Sequence, residues 1–162
     1  MLKIRKIIVP CFLIFLFSIA FVSCKKSIAP IPEKTEYDLT ATGTTYDIPL
    51  DKFAVVKLEE NATTGYSWFY FIDDETILGF FSEETKATNP DPKIVGAPMN
   101  HIWKFKALKP GTTTLKFAYV RDWEAKALEL RNKLDDKFPR LKQWKARWEA
   151  SIQKYEFTIV VK

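Results

Sequence analysis

Apolar and polar side chains alternate with a period of two along three segments of the chain. Residues 102–108 set Ile102, Lys104 and Lys106 against Trp103, Phe105 and Ala107. Residues 112–120 set Leu115, Phe117 and Tyr119 against Thr114, Lys116 and Ala118. Residues 155–161 set Tyr155, Phe157, Ile159 and Val161 against Glu156, Thr158 and Val160. That period is a strand with one face on a core. Shorter apolar runs fall at 46–49 and 53–58, the latter with β-branched Val55 and Val56. The aromatic run YSWFYFI at 66–72 suits a central strand covered on both faces. Turn-forming residues separate the runs: Asp73-Asp74-Glu75, Asn89-Pro90-Asp91-Pro92 and Lys109-Pro110-Gly111. The strand pattern begins at Tyr37, and several short strands at this spacing argue a β-sandwich.

One segment changes period. Residues 124–153 contain no glycine, little β-branching and many helix formers. Ala127, Leu130, Leu134 and Phe138 recur every three to four residues, as do Leu141, Trp144, Trp148 and Ile152 beyond Pro139. Proline is disfavoured inside a helix, so the spacing predicts two helices meeting near Phe138 and Pro139. The segment carries eight Lys/Arg and five Asp/Glu, a net charge of +3. Helices this short are marginal alone. They are expected to bury a stripe through Leu130, Leu134, Leu141 and Trp148 against each other or the sandwich, forming a helical hairpin inserted before the last strand.

The N-terminus has a different logic. Lys3, Arg5 and Lys6 precede an almost wholly apolar stretch from Ile7 to Val22, interrupted by Pro10 and followed by Ser23-Cys24-Lys25-Lys26. The stretch is short for a membrane span and reads as a signal peptide over residues 1–23. Phe21-Val22-Ser23-Cys24 resembles a bacterial lipobox, which implies lipid on Cys24, a mature chain of 139 residues and attachment to a membrane of the bacterial cell envelope. Ordinary secretion, with Cys24 a bystander, is the alternative. Residues 24–36, with Pro30 and Pro32, read as an extended tether at roughly 3 Å per residue. The folded domain then occupies 37–162.

Composition narrows the function. The 162 residues are 47% hydrophobic, enough for a real core, and carry a net charge of +5. The leader accounts for three of those charges, and the remaining +2 is too small to argue for nucleic acid. There is one histidine, His101, and of the two cysteines Cys11 leaves with the leader and Cys24 carries lipid. That leaves no thiol nucleophile, disulfide or metal-ligand spacing, so neither an enzyme, a cofactor nor a metal is expected. Trp68, Trp103, Phe105 and Phe117 read as core, and His101 as a strand-end residue without a catalytic task.

Three segments rise above a generic sandwich: Asn61-Ala62-Thr63-Thr64-Gly65-Tyr66; Val95-Gly96-Ala97-Pro98-Met99; and Tyr119-Val120-Arg121-Asp122-Trp123-Glu124. Gly65 permits a positive φ at a tight bend, and Asn61 with the threonines can bond the loop's own backbone. In an immunoglobulin-like sandwich three such loops share one end. In order and context they resemble the chagasin (I42) family of cysteine-peptidase inhibitors, whose loops have NPTTGY-like, Gly-rich and RPW-like patterns. Here these appear as NATTGYSW at 61–68, VGAP at 95–98 and the end of KPGTTTLKFAYVRDWE at 109–124. The resemblance spans about residues 38–123 and the last strand, and omits 124–153.

That resemblance implies an immunoglobulin-like fold and reversible occlusion of a papain-like cysteine peptidase. Thr63 and Thr64 would lie beside the catalytic thiol, with Gly65 letting the backbone approach and Tyr66 anchoring the loop from the core side. Asn61, Ala62, Gly96, Ala97 and Pro98 would complete two of the loops. Trp123 would stack on an aromatic rim, with Arg121 and Asp122 in its loop. Ala62 and Asp122 stand where the family has proline, which implies looser loops, and Met99 stands where a glycine is common. Arg121 is alternatively a surface ion pair, and Trp123 alternatively packs on the inserted helices. The other reading of the whole chain is an envelope lipoprotein binding module that inhibits no peptidase and works through its insertion.

Overall fold

The computed structural model describes residues 33–88, 96–131 and 138–162. The signal peptide, Cys24, most of the tether, the Asn89–Pro92 turn, Val95 and Leu134 lie outside the described residues.

Eight strands form two four-stranded sheets. One has the order β1 (Glu36–Leu39), β3 (Phe53–Glu60), β6 (Met99–Ala107), β5 (Leu78–Ala87). The other has β2 (Thr44–Ile48), β8 (Gln153–Val161), β7 (Gly111–Val120), β4 (Ser67–Ile72). β1 pairs with β3, and β2 with β8, in parallel; the other pairings are antiparallel. The alternating residues of the sequence fill the space between the sheets: Trp103, Phe105, Leu115, Phe117, Phe157 and Ile159 are all buried, with Trp68 beside them. The result is an immunoglobulin-like β-sandwich with two helices inserted before its last strand.

The aromatic strand departs from expectation. β4 is an edge strand, not a central one, because it pairs only with β7. It is nonetheless covered on both faces. Trp68, Tyr70 and Ile72 face the core, while the insertion covers the outer face. Phe71 stacks on Trp144 at 5.4 Å, and the Arg147 guanidinium lies 4.1 Å from the centre of Phe69. On neighbouring β7, Ala118 and Val120 alternate with core-facing residues and yet are 0% exposed.

The insertion forms α1 (Asp122–Arg131) and α2 (Pro139–Ala150), with Pro139 opening the second helix, where a proline lacks nothing the helix needs. The helices pack on each other, and α2 packs on β7. Of the expected stripe Trp148 packs, half-buried and tilted against Trp144 at 5.5 Å, but the described leucines do not. Ala125, Trp144 and Ala146 are buried, whereas Leu130 is 89% and Phe138 65% exposed and Leu141 is also exposed. The broad Trp144 ring fills the contact with the sheet, stacked on Phe71, and the small alanines are buried beside it in the helices. The hairpin lies back along the sheet, with α2 on β7 and Trp144 stacked on Phe71. The first turn of α1 and the C-terminal part of α2, through Arg147, lie near the loops, and the start of α2 is fastened at the far end by an Arg140–Glu75 ion pair of 2.7 Å.

Register fixes which loops meet. Glu60, the last residue of β3, is opposite Met99, the first of β6. Ser67, the first of β4, is opposite Val120, the last of β7. The connections after Glu60, before Met99 and after Val120 therefore emerge at one end of the sandwich.

Candidate functional site

The first loop is organised by Asn61. Its Oδ1 accepts hydrogen bonds from the Thr63 N–H at 3.1 Å and the Thr63 hydroxyl at 2.6 Å. Its backbone carbonyl accepts from the Thr64 N–H at 3.1 Å and the Thr64 hydroxyl at 2.6 Å. These bonds wind Ala62–Thr64 into one turn of 3-10 helix, the local competition with extended backbone that Asn and Thr side chains offer. Two further bonds leave the loop. Asn61 Nδ2 donates to the Gly96 carbonyl at 3.2 Å, and the Asn61 N–H donates to the Tyr119 hydroxyl at 3.1 Å. One asparagine thus ties the first loop to itself, to the second loop and to β7.

Gly65 ends the turn at φ +77°, a left-handed conformation that side chains resist. A Cβ there would also lie 2.4 Å from the far edge of the Trp123 ring. Trp123 therefore lies directly over Gly65, joining the third loop to the first while remaining 58% exposed. It sits in the first turn of α1 without being buried by the helices, so it does not pack into them. Gly96 also has a positive φ, +80°, but a Cβ there would sit at an ordinary distance from Thr63, so conformation alone requires glycine. Ala97 and Pro98 are half-buried, and the Pro98 carbonyl accepts from the N–H and hydroxyl of Thr88. Met99 is already in β6, half-buried, and belongs to the sheet more than to the loop.

Arg121 sits between the first and third loops. Its Nε donates to the Thr64 carbonyl at 3.2 Å, and its guanidinium lies 4.4 Å from the centre of the Tyr66 ring and 5.6 Å from that of Trp123. It also pairs with Glu124 at 3.3 Å, so one side chain makes both an ion pair and a bond to the first loop. Tyr66 is half-buried and stacks on Tyr119 at 5.3 Å, and Tyr119 stacks on Trp68 at 4.7 Å. This column of rings links the loop to the core.

Asp122 corrects an expectation. In place of a looser loop, it opens α1 and is held at 2.8 Å by Lys126 and at 3.0 Å by Arg147 of α2. The hydrogen bond from Lys126, followed by that from Arg147, keeps its carboxyl below the usual carboxylate range despite partial burial. Such an acid in the first turn of a helix is also favoured by the helix dipole.

Two residues near the loops carried no sequence signal of this role. Tyr119 reads as ordinary core by alternation, but its hydroxyl reaches the loop. Arg147 lies 25 residues from Asp122 in a segment without a resembling partner. His101 sits on Trp103 at 3.8 Å between Glu60 at 3.3 Å and Glu83 at 3.4 Å, a strand residue just behind the loops. Among the described residues no group of three or more His, Cys, Asp or Glu is placed to hold a metal ion.

The sandwich carries three cross-linked loops at one end, in the immunoglobulin-like fold class. The profile of the Chagasin family peptidase inhibitor I42 matches residues 47–135, which take in all three loops. Amoebiasin-2 of Entamoeba histolytica is 33% identical over 102 residues, covering 62% of this chain and 79% of that protein. Chagasin of Trypanosoma cruzi is 25% identical over 83 residues, covering 50% and 76% respectively. The chain belongs to the chagasin family of peptidase inhibitors. A crystal structure of a cysteine protease inhibitor from Entamoeba histolytica shares the fold with a TM-score of 0.56 at 24% identity, covering 78% of this chain and 96% of that one. The solution structure of amebosin does so with a TM-score of 0.50 at 20% identity, covering 78% and 96%.

Proposed function

We propose that this protein is a reversible inhibitor of papain-like cysteine peptidases, and that the loops around Asn61, Gly96 and Trp123 form its enzyme-facing edge. The observation that carries the reading is the joining of these loops at one end of the sandwich. Asn61 and Arg121 cross-link them, while Thr63, Thr64 and Trp123 stay exposed. A wedge held this way loses little conformational freedom on binding. Thr63, Thr64 and Gly65 enter the active-site cleft as a narrow turn of small side chains and block access to the thiol without reacting with it. Trp123 meets the rim, where a large desolvated aromatic ring is a common energetic centre.

The test is inhibition of papain by the soluble domain and two variants. Trp123→Ala removes an exposed ring and should raise the inhibition constant about 30-fold, the equivalent of ~2 kcal/mol. Thr64→Lys should do more, because it places a long cation in the narrowest part of the wedge. Both variants should keep the wild-type circular dichroism spectrum. Unchanged inhibition by both folded variants would refute the assignment of these loops.

For its setting we propose lipid attachment at Cys24, which places the domain on a membrane of the cell envelope. Labelled palmitate should enter the wild-type protein and not Cys24→Ala, and membrane partitioning should be lost with it. Label retained in Cys24→Ala would sink this. The second reading, a binding module that works through the insertion, draws on the exposure of Leu130 and Phe138 away from the loops.

A further inference from the structure

The second inserted helix reaches the candidate edge through Arg147. Arg147, on the third turn of α2, reaches Asp122 at 3.0 Å, and Asp122 is the residue between Arg121 and Trp123. Both partners are partly shielded, with side-chain exposures of 26% and 36%. The guanidinium also lies over the Phe69 ring, 4.1 Å from its centre, and Phe69 belongs to the strand that leads out of the first loop. From Asp122 the connection continues in two directions. Arg121 bonds the Thr64 carbonyl, and Trp123 lies over Gly65. Lys126 holds the second carboxylate oxygen of Asp122 from within α1.

We infer that the insertion is a brace for the enzyme-facing edge, with Arg147 as the positioning residue. By holding Asp122 it fixes the backbone on both sides, and so fixes where Trp123 and Arg121 stand relative to the first loop. This rests on the proposed inhibition and names what regulates the geometry of that same site. It gives the insertion a task that needs no contact with the enzyme, consistent with its lying back along the sheet. An ion pair at this exposure is individually weak. Its effect is directional: it narrows the range of loop positions that must otherwise be narrowed during binding.

The experiment compares Arg147→Gln, Asp122→Asn and the double variant with a control at the other end of the same helix, Arg140→Gln, which breaks the Arg140–Glu75 pair. Each is read two ways: inhibition of papain, and amide hydrogen exchange of the peptide containing residues 121–124 in the free protein. Either brace variant should raise the inhibition constant roughly three- to tenfold and speed exchange at 121–124. The double variant should lose less than the sum of the two single losses, because the Asp122–Arg147 coupling is removed in both while the Lys126 and Phe69 contacts are not shared. Arg140→Gln should leave both readouts at wild-type values whatever it does to the melting temperature. The inference is overturned if the brace variants leave exchange and inhibition unchanged. It is equally overturned if Arg140→Gln matches them, which would make the role general stability. If the wild-type protein fails to inhibit papain, the inhibitory reading falls, and hydrogen exchange alone still decides whether Arg147 fixes the loop.

Discussion

Gly65→Ala is the substitution whose consequence the structure specifies most closely. Two costs arise at one methyl group. The first is conformational: φ at Gly65 is +77°, and an L-residue there costs about 1–2 kcal/mol. The second is steric. The new Cβ would stand 2.4 Å from the Trp123 ring, so the ring must retreat by about 1 Å to reach ordinary contact. Trp123 is free to swing because its contacting atom is the far edge of a 58% exposed side chain. The steric cost therefore falls on placement of the rim residue more than on stability. The domain should lose about 1–2 kcal/mol, seen as a melting temperature lower by about 4–10 °C. Papain inhibition should weaken by up to about 30-fold, the full worth of a misplaced rim tryptophan. Repeating the change in a Trp123→Ala background separates the two costs. The melting temperature should fall again, since the backbone cost persists, but inhibition should weaken no more than about twofold further. A folded Gly65→Ala protein with wild-type inhibition, or an equal further loss of inhibition in both backgrounds, would refute the packing of Trp123 on Gly65 as the link between the two loops.

Asn61→Ala should destabilise the domain by about 1–3 kcal/mol, because it strips bonds within the first loop and to Gly96. Asn61→Asp keeps the acceptor for Thr63 and loses the donor to Gly96, so denaturant unfolding of the pair separates the two sets; equal stability of Asn61→Ala and wild type would refute the hub. Ala62→Pro fits the opening position of a helical turn and should stabilise by about 0.4–1 kcal/mol, tightening inhibition slightly, with weaker inhibition as the contrary result. Asp122→Pro also fits the first position of α1, but it forfeits the pairs with Lys126 and Arg147 and should weaken inhibition, against the gain that proline in this loop would otherwise give; a gain would contradict the brace. The Asp122 carboxyl titrates lower folded than unfolded, so its contribution is fully present above its unfolded value, about pH 4, and is lost as pH falls through the folded one. The stability gap between wild type and Asp122→Asn should therefore shrink on acidification, and a gap that widens would reverse the assignment.

How far the structure could be read in advance depended on which face of each segment water sees. β6, β7 and β8 each have one face on the core, so their alternation is strict and their edges fall within about three residues of expectation. β5 gave no such signal. Its second half, from Glu83 onward, is exposed on a sheet edge, and a register shift between Phe80 and Ser82 breaks the alternation. β1 is four residues long and begins at Glu36, inside what composition marks as tether. The run at 66–72 looks central because it is apolar on both faces, yet the cover on its second face comes from a segment some 70 residues later. Periodicity registers that a face is buried and not by what.

The same limit applies to the loops. Asn61, the threonines, Gly65, Arg121 and Trp123 could be singled out because their chemistry is local and their order resembles a family. Their cross-links could not. The reach of Tyr119 to the Asn61 N–H and of Arg147 to Asp122 depends on register and on helix docking, which no local pattern encodes. The leucine stripe misled for a related reason. Leu130 has the right spacing but is exposed, while Ala125 and Ala146, too small to stand out by hydrophobicity, are the buried positions. Because Ala118 and Val120 lie beneath the insertion, excising the helices would uncover an apolar sheet face, and point variants are the cleaner probe.

The central claim is that the three-loop end of this sandwich occludes a papain-like active site. The direct measurement is the steady-state inhibition of papain by the soluble domain, titrated at several substrate concentrations. The account predicts reversible inhibition that substrate relieves competitively, with an inhibition constant in the low micromolar range or tighter. Full peptidase activity with a large excess of the folded domain, or inhibition that substrate does not relieve, would contradict it.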